Sequence, residues 1–355
     1  MQQRDYVKVM VNALGVMLRN VEELERKLAE PSPALIADLA KLEGDILVLG
    51  VGGKMGPSLA KLAKNAINAA GSGQRVIGVA RFSSKGLVDE LHAAGVETIT
   101  ADVTNEADLA ALPNVKNVIY MVGLKFGTTG NEHATWLMNA YVPGRVADHF
   151  RDARLVVFSS GNVYPLTSVV GGGASEEQPV GPVGEYAQSV LGRERVFESF
   201  SHRYQIPMVM YRLMYAIDMR YGVLLEVASA VNEGRAIDLA TGNANVIWQG
   251  DANEIALRSL HHCTCPPTVL NVTGPETISV RWLAERFGAI FGKEPVFSGV
   301  EQTTALLGNS SKASALFGYP KVSLREMIEW VGGWVMAGGA TIGKPTHFQE
   351  RQGKF

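Results

Sequence analysis

The segment Gly50-Val51-Gly52-Gly53-Lys54-Met55-Gly56 follows the apolar run Ile46–Leu49 and opens a helical stretch. Glycines at 50, 53 and 56 in that setting permit a tight turn, close backbone approach to a pyrophosphate, and close helix–strand packing. The helix start adds unbonded N–H groups and a partial positive charge, which suit an anion. Gly50, Gly53, Lys54, Met55 and Gly56 are therefore read as a dinucleotide-binding loop. A second apolar run ends in Val79-Ala80-Arg81-Phe82-Ser83, without the acid that usually binds both ribose hydroxyls. The Arg81 guanidinium, with Ser83, Ser84 and Lys85 beside it, suits a 2′-phosphate instead. NADP is the expected cofactor, and NAD the alternative.

Such a loop needs a parallel sheet behind it, and the chain supplies the pattern. Ile46–Leu49, Val76–Val79, Glu97–Thr100, Val118–Val122, Leu155–Phe158 and Met208–Tyr211 are short apolar or β-branched runs. Helical stretches separate most of them, near 55–70, 84–94, 106–112, 131–151 and 184–204. Apolar strands alternating with helices imply an α/β fold, a doubly wound parallel sheet of Rossmann type. After about residue 213 the alternation weakens into helical patterns near 223–233, 251–262, 279–292 and 323–337, with short strands at Val246–Trp248 and Val269–Val272. The expected organisation is an N-terminal helical extension over 1–44, a dinucleotide-binding domain over 45–213, and a smaller substrate-binding region over 214–355, partly interleaved with the sheet. In the extension, Val7, Met10, Leu14, Met17, Val21, Leu24 and Leu28 form a seam of period 3.5 that predicts one helix over 5–29, stopped by Pro31 and Pro33. A short helix over 34–42 follows. The seam must be covered, by the chain itself or by a second copy, and a homo-oligomer is expected.

The spacing of Gly50, Gly53 and Gly56 resembles the extended short-chain dehydrogenase/reductase family, the NAD(P)-dependent epimerase/dehydratase type, over roughly residues 45–335. Later landmarks agree: Asp102-Val103 after the third strand, where that family contacts adenine; Ser159-Ser160-Gly161-Asn162-Val163-Tyr164, like its serine-bearing fifth strand; and Glu177, Pro179, Pro182 and Tyr186, like the approach to its catalytic tyrosine. Asn271-Val272-Thr273-Gly274 and the stretch from Ser311-Lys312-Ala313 to Leu316-Phe317-Gly318-Tyr319 resemble its C-terminal landmarks. The resemblance implies Tyr186 as acid/base for a substrate hydroxyl or ketone and Ser160 as the group that holds that oxygen. It implies cofactor contacts from Asp102, Val103, Val122 and Gly123, and a sugar-like substrate oxidised, reduced or epimerised by hydride exchange with nicotinamide. The alternative is a non-catalytic dinucleotide-binding protein with a regulatory or structural role.

One departure bears on the chemistry. The family's lysine, four residues after the tyrosine, is Val190 here. A unit charge about 4–5 Å from a phenolate, at an effective dielectric near 20, is worth roughly 3–4 kcal/mol, or about 2–3 pKa units. Without that charge Tyr186 would be a poor base at neutral pH unless another cation substitutes. Lys125, in the loop after the fourth strand, is the preferred replacement; Arg193, on the Tyr186 face of its helix but two turns on, is the other. Thr128, Thr129 and Asn162 are expected substrate contacts, the two threonines equally as caps of the next helix.

Composition narrows the remaining classes. The 355 residues are 46% hydrophobic and 19% charged, with a formal charge of −2, which gives no electrostatic reason to expect nucleic acid or an anionic membrane. Two cysteines, Cys263 and Cys265, suit a reducing compartment, and Arg4, Asp5, Lys8 and Arg19 spoil any signal-peptide pattern, so a cytoplasmic protein is expected. His261, His262, Cys263 and Cys265 lack a second pair at metal-site spacing and are read as a helix end; no metal is expected. Trp330 and Trp334 are read as packing for a late helix, and Asp251 as the cap of the helix that follows it.

Overall fold

The structure, a computed structural model, describes residues 18–125, 127 and 129–354. Its centre is a seven-stranded sheet in which every neighbouring pair is parallel. The strands are β1 (Ile46–Leu49), β2 (Val76–Ala80), β3 (Glu97–Thr100), β4 (Asn117–Tyr120), β5 (Arg154–Ser160), β6 (Met208–Leu213) and β7 (Thr268–Val272), in spatial order β7-β6-β5-β4-β1-β2-β3. The order reverses between β1 and β4, and the crevice beyond their carboxyl ends is where such sheets bind ligands. The fold class read from the sequence is the one observed. β7 comes from the C-terminal part of the chain, so that part completes the sheet as well as adding to it.

Alternation along the strands divides the core. Ile46 and Val48 face one side, against α2 (Pro33–Ala40), α3 (Gly56–Ala70) and α10 (Gln249–Arg258). Leu47 and Leu49 face the other, with Val142, Val146 and Phe197. Those residues lie on α7 (Val142–His149) and α8 (Gly184–Tyr204). Both faces are apolar because both are covered, as a parallel sheet requires. α4 (Leu87–Ala93) and α5 (Glu106–Ala110) complete the crossovers. The predicted helix over 131–151 is α6 (Glu132–Trp136), a π-helical turn over Leu137–Tyr141, and then α7. β4 stops at Tyr120, two residues before the expected end, which leaves Val122 and Gly123 to the loop above the crevice.

A separate apolar cluster unites α9 (Val223–Glu233), α11 (Val280–Phe291) and α13 (Leu324–Met336), with Trp248, Trp330 and Trp334 buried inside it. α12 (Ser311–Phe317) contributes Ala313 to the sheet core. The predicted helix over 5–29 is overturned in part. α1 runs only from Val21 to Leu28, because extended Asn20 caps it by accepting from the Glu23 N–H. Positions 1–17, with the first half of the seam, lie outside the described residues. The second half docks on the chain itself: Leu24 and Leu28 are fully buried in the cluster of α9 and α13. Glu25 ties α1 to Lys61 and Arg220. Asp251 is also corrected: it sits inside the first turn of α10 and accepts from the Val322 N–H at 3.0 Å instead of capping the helix.

Candidate active site

The glycine loop leaves β1 at Gly50, whose φ of +85° is left-handed and whose added Cβ would stand 3.0 Å from the Met121 and Val122 backbone. A Cβ on Gly56 would lie 2.3 Å from the Val51 carbonyl. A side chain is excluded at both positions, so the backbone itself forms the wall of the cradle. α3 begins at Gly56 with no side-chain cap, which leaves its first N–H groups turned toward the crevice.

Two cavities meet at Gly50, Gly53 and Met121. The first, about 230 Å³, is lined by Arg81, Ser83, Asp102, Val103, Val122 and Gly123, with Gly50 and Gly53 at its inner end. The sequence placed all of these together, and the structure does too. Arg81 is mostly exposed and stands 3.8 Å from Asp102, whose carboxyl is held below its usual pKa by hydrogen bonds from Thr104, with Arg81 adding to the effect.

The second cavity, about 270 Å³, is lined by Gly53, Lys54, Met55, Gly56, Lys125, Ser160, Asn162 and Tyr186. It also takes residues that sequence reasoning missed: Tyr215, Tyr221, Leu306 and Thr346. They come from loops beyond residue 213, where no motif marks them. Ser160 ends β5; its hydroxyl donates to Asn162 Oδ1 at 2.9 Å and accepts from the Asn162 N–H at 3.2 Å. The Tyr186 hydroxyl is hydrogen-bonded to Ser160. Burial of that hydroxyl raises its pKa, while the Arg193 charge and the Ser160 bond pull it back down. Tyr186 as a residue is half-buried.

Val190, at the lysine position, is buried among Val163, Tyr164, Ala174 and Met214. The cations lie elsewhere. The Lys125 ammonium is 5.9 Å from the centre of the Tyr186 ring, and burial lowers its pKa to about 8. A lysine that loses its proton near pH 8 is neutral before a phenol of raised pKa ionises. The permanently charged Arg193 is the cation that lowers the Tyr186 pKa. Arg193 is buried and donates to the Phe158 carbonyl at 2.7 Å and to Asn139 Oδ1 at 2.8 Å. Asn139, in the π-helical turn, also accepts from the Leu124 N–H and donates to the Leu124 carbonyl and to Ser189. It thereby fastens the loop bearing Lys125 to the helix bearing Tyr186. Its one sequence signal is an amide on an otherwise apolar helical face.

Thr129 is exposed and lines neither cavity. Thr128 lies outside the described residues. Behind β5 a buried network fixes the serine strand: Ser159 donates to Glu194, which pairs with Arg212 at 2.6 Å, and Arg212 donates to the Tyr164 hydroxyl, which donates to Asn271. Among the described residues no group of three or more His, Cys, Asp and Glu side chains is arranged to hold a metal ion. No described helix is long and apolar enough to cross a membrane.

The model of the NAD dependent epimerase/dehydratase family matches residues 46–241, more than half of the chain. The chain belongs to that family. Among solved structures, a UDP-glucuronic acid 4-epimerase from Bacillus cereus is 19% identical, with a TM-score of 0.69 over 82% of this chain and 99% of its own. An epimerase from Methanothermobacter thermautotrophicus is 18% identical, with a TM-score of 0.68 over 86% of this chain and 96% of its own. A UDP-glucose 4-epimerase from Thermotoga maritima is 17% identical, with a TM-score of 0.66 over 83% and 99%. At these identities the likeness is one of fold. No curated protein sequence matches the chain.

Proposed function

We propose that the protein is an NAD(P)-dependent oxidoreductase or epimerase acting on a hydroxyl or ketone of a sugar-like small molecule. The observation that carries this reading is the hydrogen-bonded Tyr186–Ser160 pair in a cavity that opens directly onto the Gly50–Gly56 cradle. The cradle suits a dinucleotide: Gly50 and Gly56 have no room for a side chain against the chain's own backbone, which lets the loop turn tightly, and the two cavities meet at Gly50 and Gly53. When bound, the nicotinamide supplies reversible exchange of hydride with a substrate carbon. Gly50, Gly53, Lys54, Met55 and Gly56 would hold the pyrophosphate region; Arg81, Ser83, Asp102, Val103, Val122 and Gly123 would hold the adenosine half. The Bacillus cereus epimerase structure is a complex with a UDP-sugar and NAD. Arg81 without a ribose-binding acid on β2 favours NADP here.

In this reading Ser160 fixes the substrate oxygen and Tyr186 gives or takes its proton. Arg193 favours the ionised tyrosine, Lys125 lies 5.9 Å from the centre of its ring, and Asn162 orients Ser160. An epimerase would release a product with no net redox change; a dehydrogenase would release a ketone or alcohol. A non-catalytic binding protein is favoured by one observation, the apolar burial of Val190. Incubating the dinucleotide-loaded protein with UDP-glucose, UDP-glucuronate and simple hexoses tests the choice. Formation of a 340 nm band or of an epimer supports catalysis, and neither with any sugar argues for binding alone.

A further inference from the structure

The segment after α13 lies beyond the family-matched residues 46–241, yet it returns to the Tyr186 cavity through Thr346. Thr346 and Leu306 line that cavity and not the adenosine-side one, whereas Gly50, Gly53 and Met121 line both. Thr346 and Leu306 therefore bound the space left to a substrate once a dinucleotide occupies the cradle. The segment is fastened along its length. The Ile342 N–H donates to the Arg220 carbonyl at 3.0 Å, and Arg220 is itself fixed by ion pairs with Glu25 at 2.7 Å and Asp218 at 2.9 Å. Glu226 accepts from both the N–H and the hydroxyl of Thr346. Phe348 is buried in the cluster of α9, α11 and α13. Arg351 donates to the Thr304 carbonyl and to the Thr304 hydroxyl, each at 2.7 Å. Gly353 packs on the start of α8, where a Cβ on it would stand 2.2 Å from the Val183 carbonyl.

Segments that open have few buried contacts; this one has a buried ring with hydrogen bonds on either side of it, so it is a fixed wall. The Thr346 hydroxyl donates to Glu226 and accepts from the Phe348 N–H at 3.1 Å, so its donor is already used and it bounds the cavity by shape. The cavity holds about 270 Å³. Small-molecule sites are typically about 300–1,000 Å³, and this one must also take the nicotinamide end of a dinucleotide. We propose that residues 342–353 form a fixed wall that limits the substrate to a compact molecule, about one sugar ring in size, with Thr346 and Leu306 as the size-determining residues. A sugar carried on a nucleoside diphosphate would collide with that wall. The proposal rests on the sugar-like substrate proposed above and adds its size.

Calorimetric titration of the NADP-saturated full chain with glucose and with UDP-glucose tests the limit. Glucose should bind tenfold or more tightly than UDP-glucose. Deleting residues 341–355, or making Thr346→Ala/Leu306→Ala, should shift that ratio at least tenfold toward UDP-glucose, with NADP affinity within about twofold. The double substitution leaves Phe348 in place and carries the test if the deletion does not fold. UDP-glucose bound by the wild type as tightly as glucose, or an unchanged ratio in the double variant, overturns the proposal. A parallel loss of NADP affinity assigns the wall to the cofactor and does the same. If neither sugar binds, the sugar reading fails separately, and access to the cavity decides on the wall. In a Ser160→Cys background with NADP present, N-ethylmaleimide should label position 160 at least tenfold faster than N-(1-pyrenyl)maleimide. Peptide mass spectrometry separates that label from any on Cys263 and Cys265. Adding Thr346→Ala/Leu306→Ala should speed the bulky reagent tenfold and change the small one little. Equal rates for the bulky reagent with and without the double substitution overturn the inference.

Discussion

Arg193 lowers the pKa of Tyr186 from seven residues further along the same helix. Its guanidinium is held in place by the Phe158 carbonyl and Asn139, so the charge is fixed where the tyrosine hydroxyl can feel it. Arg193→Met should move the alkaline limb of the pH–rate profile upward and lower turnover near neutrality by tenfold or more. At an effective dielectric near 20, a unit charge within about 5–10 Å of a phenolate is worth roughly 2–3 kcal/mol, or about one to two pKa units. Arg193→Lys should restore part of the shift. An unchanged profile in Arg193→Met would remove the residue from the proton chemistry.

Lys125→Met gives the complementary measurement. Lys125 loses its own proton near pH 8, so its loss should change the profile below that pH more than above it. Turnover should fall by about an order of magnitude at neutral pH. If both turnover and profile match the wild type, Lys125 is an ordinary loop residue.

Tyr186→Phe removes the proposed acid/base and keeps the ring. Turnover should fall by at least two orders of magnitude, with dinucleotide affinity within twofold of the wild type by fluorescence titration. Retained activity would mean that another group moves the proton.

The parts of this site that were legible are those set by chain-local rules. A glycine triplet between an apolar run and a helix has one common physical use, while Ser160 and Tyr186 came from the family resemblance, and the structure brings them into one cavity. The single helix expected over 5–29 is interrupted at Asn20, where heptad periodicity continues but a side-chain cap starts a new helix. Asp251 looked like a cap because the start of α10 was placed two residues late. Arg193 was discounted on helical distance alone. Its reach depends on Asn139 and the Phe158 carbonyl, which come from other elements. The Lys54 ammonium donates to the Ala216 carbonyl at 3.0 Å and lies 3.9 Å from the centre of the Tyr221 ring, and no local pattern encodes where those residues fall.

Arg81 tests cofactor choice. Arg81→Ala should weaken NADPH binding about tenfold and leave NADH nearly unchanged, since only the 2′-phosphate needs the guanidinium. The 3.8 Å pair with Asp102 would open to admit that phosphate. Equal wild-type affinities for the two cofactors would show that Arg81 serves only Asp102.

The two buried lysines also predict a pH dependence of stability. Lys54 falls from 10.5 to about 7 and Lys125 from 10.5 to about 8, in each case chiefly through burial. In the unfolded chain both return to the ordinary lysine value. Between roughly pH 7 and 10 the folded protein therefore binds fewer protons than the unfolded chain, and stability rises with pH over that window. Below it both lysines are charged in both states, and the full burial penalty remains. Asp218 offsets part of the penalty at Lys54, and the Arg220 charge adds to it. Lys54→Met/Lys125→Met removes both titrations. Without ligand, this double variant should melt above the wild type at pH 7, and its advantage should shrink by pH 9. A constant difference in melting temperature across that range would show that neither ammonium is desolvated in the folded protein.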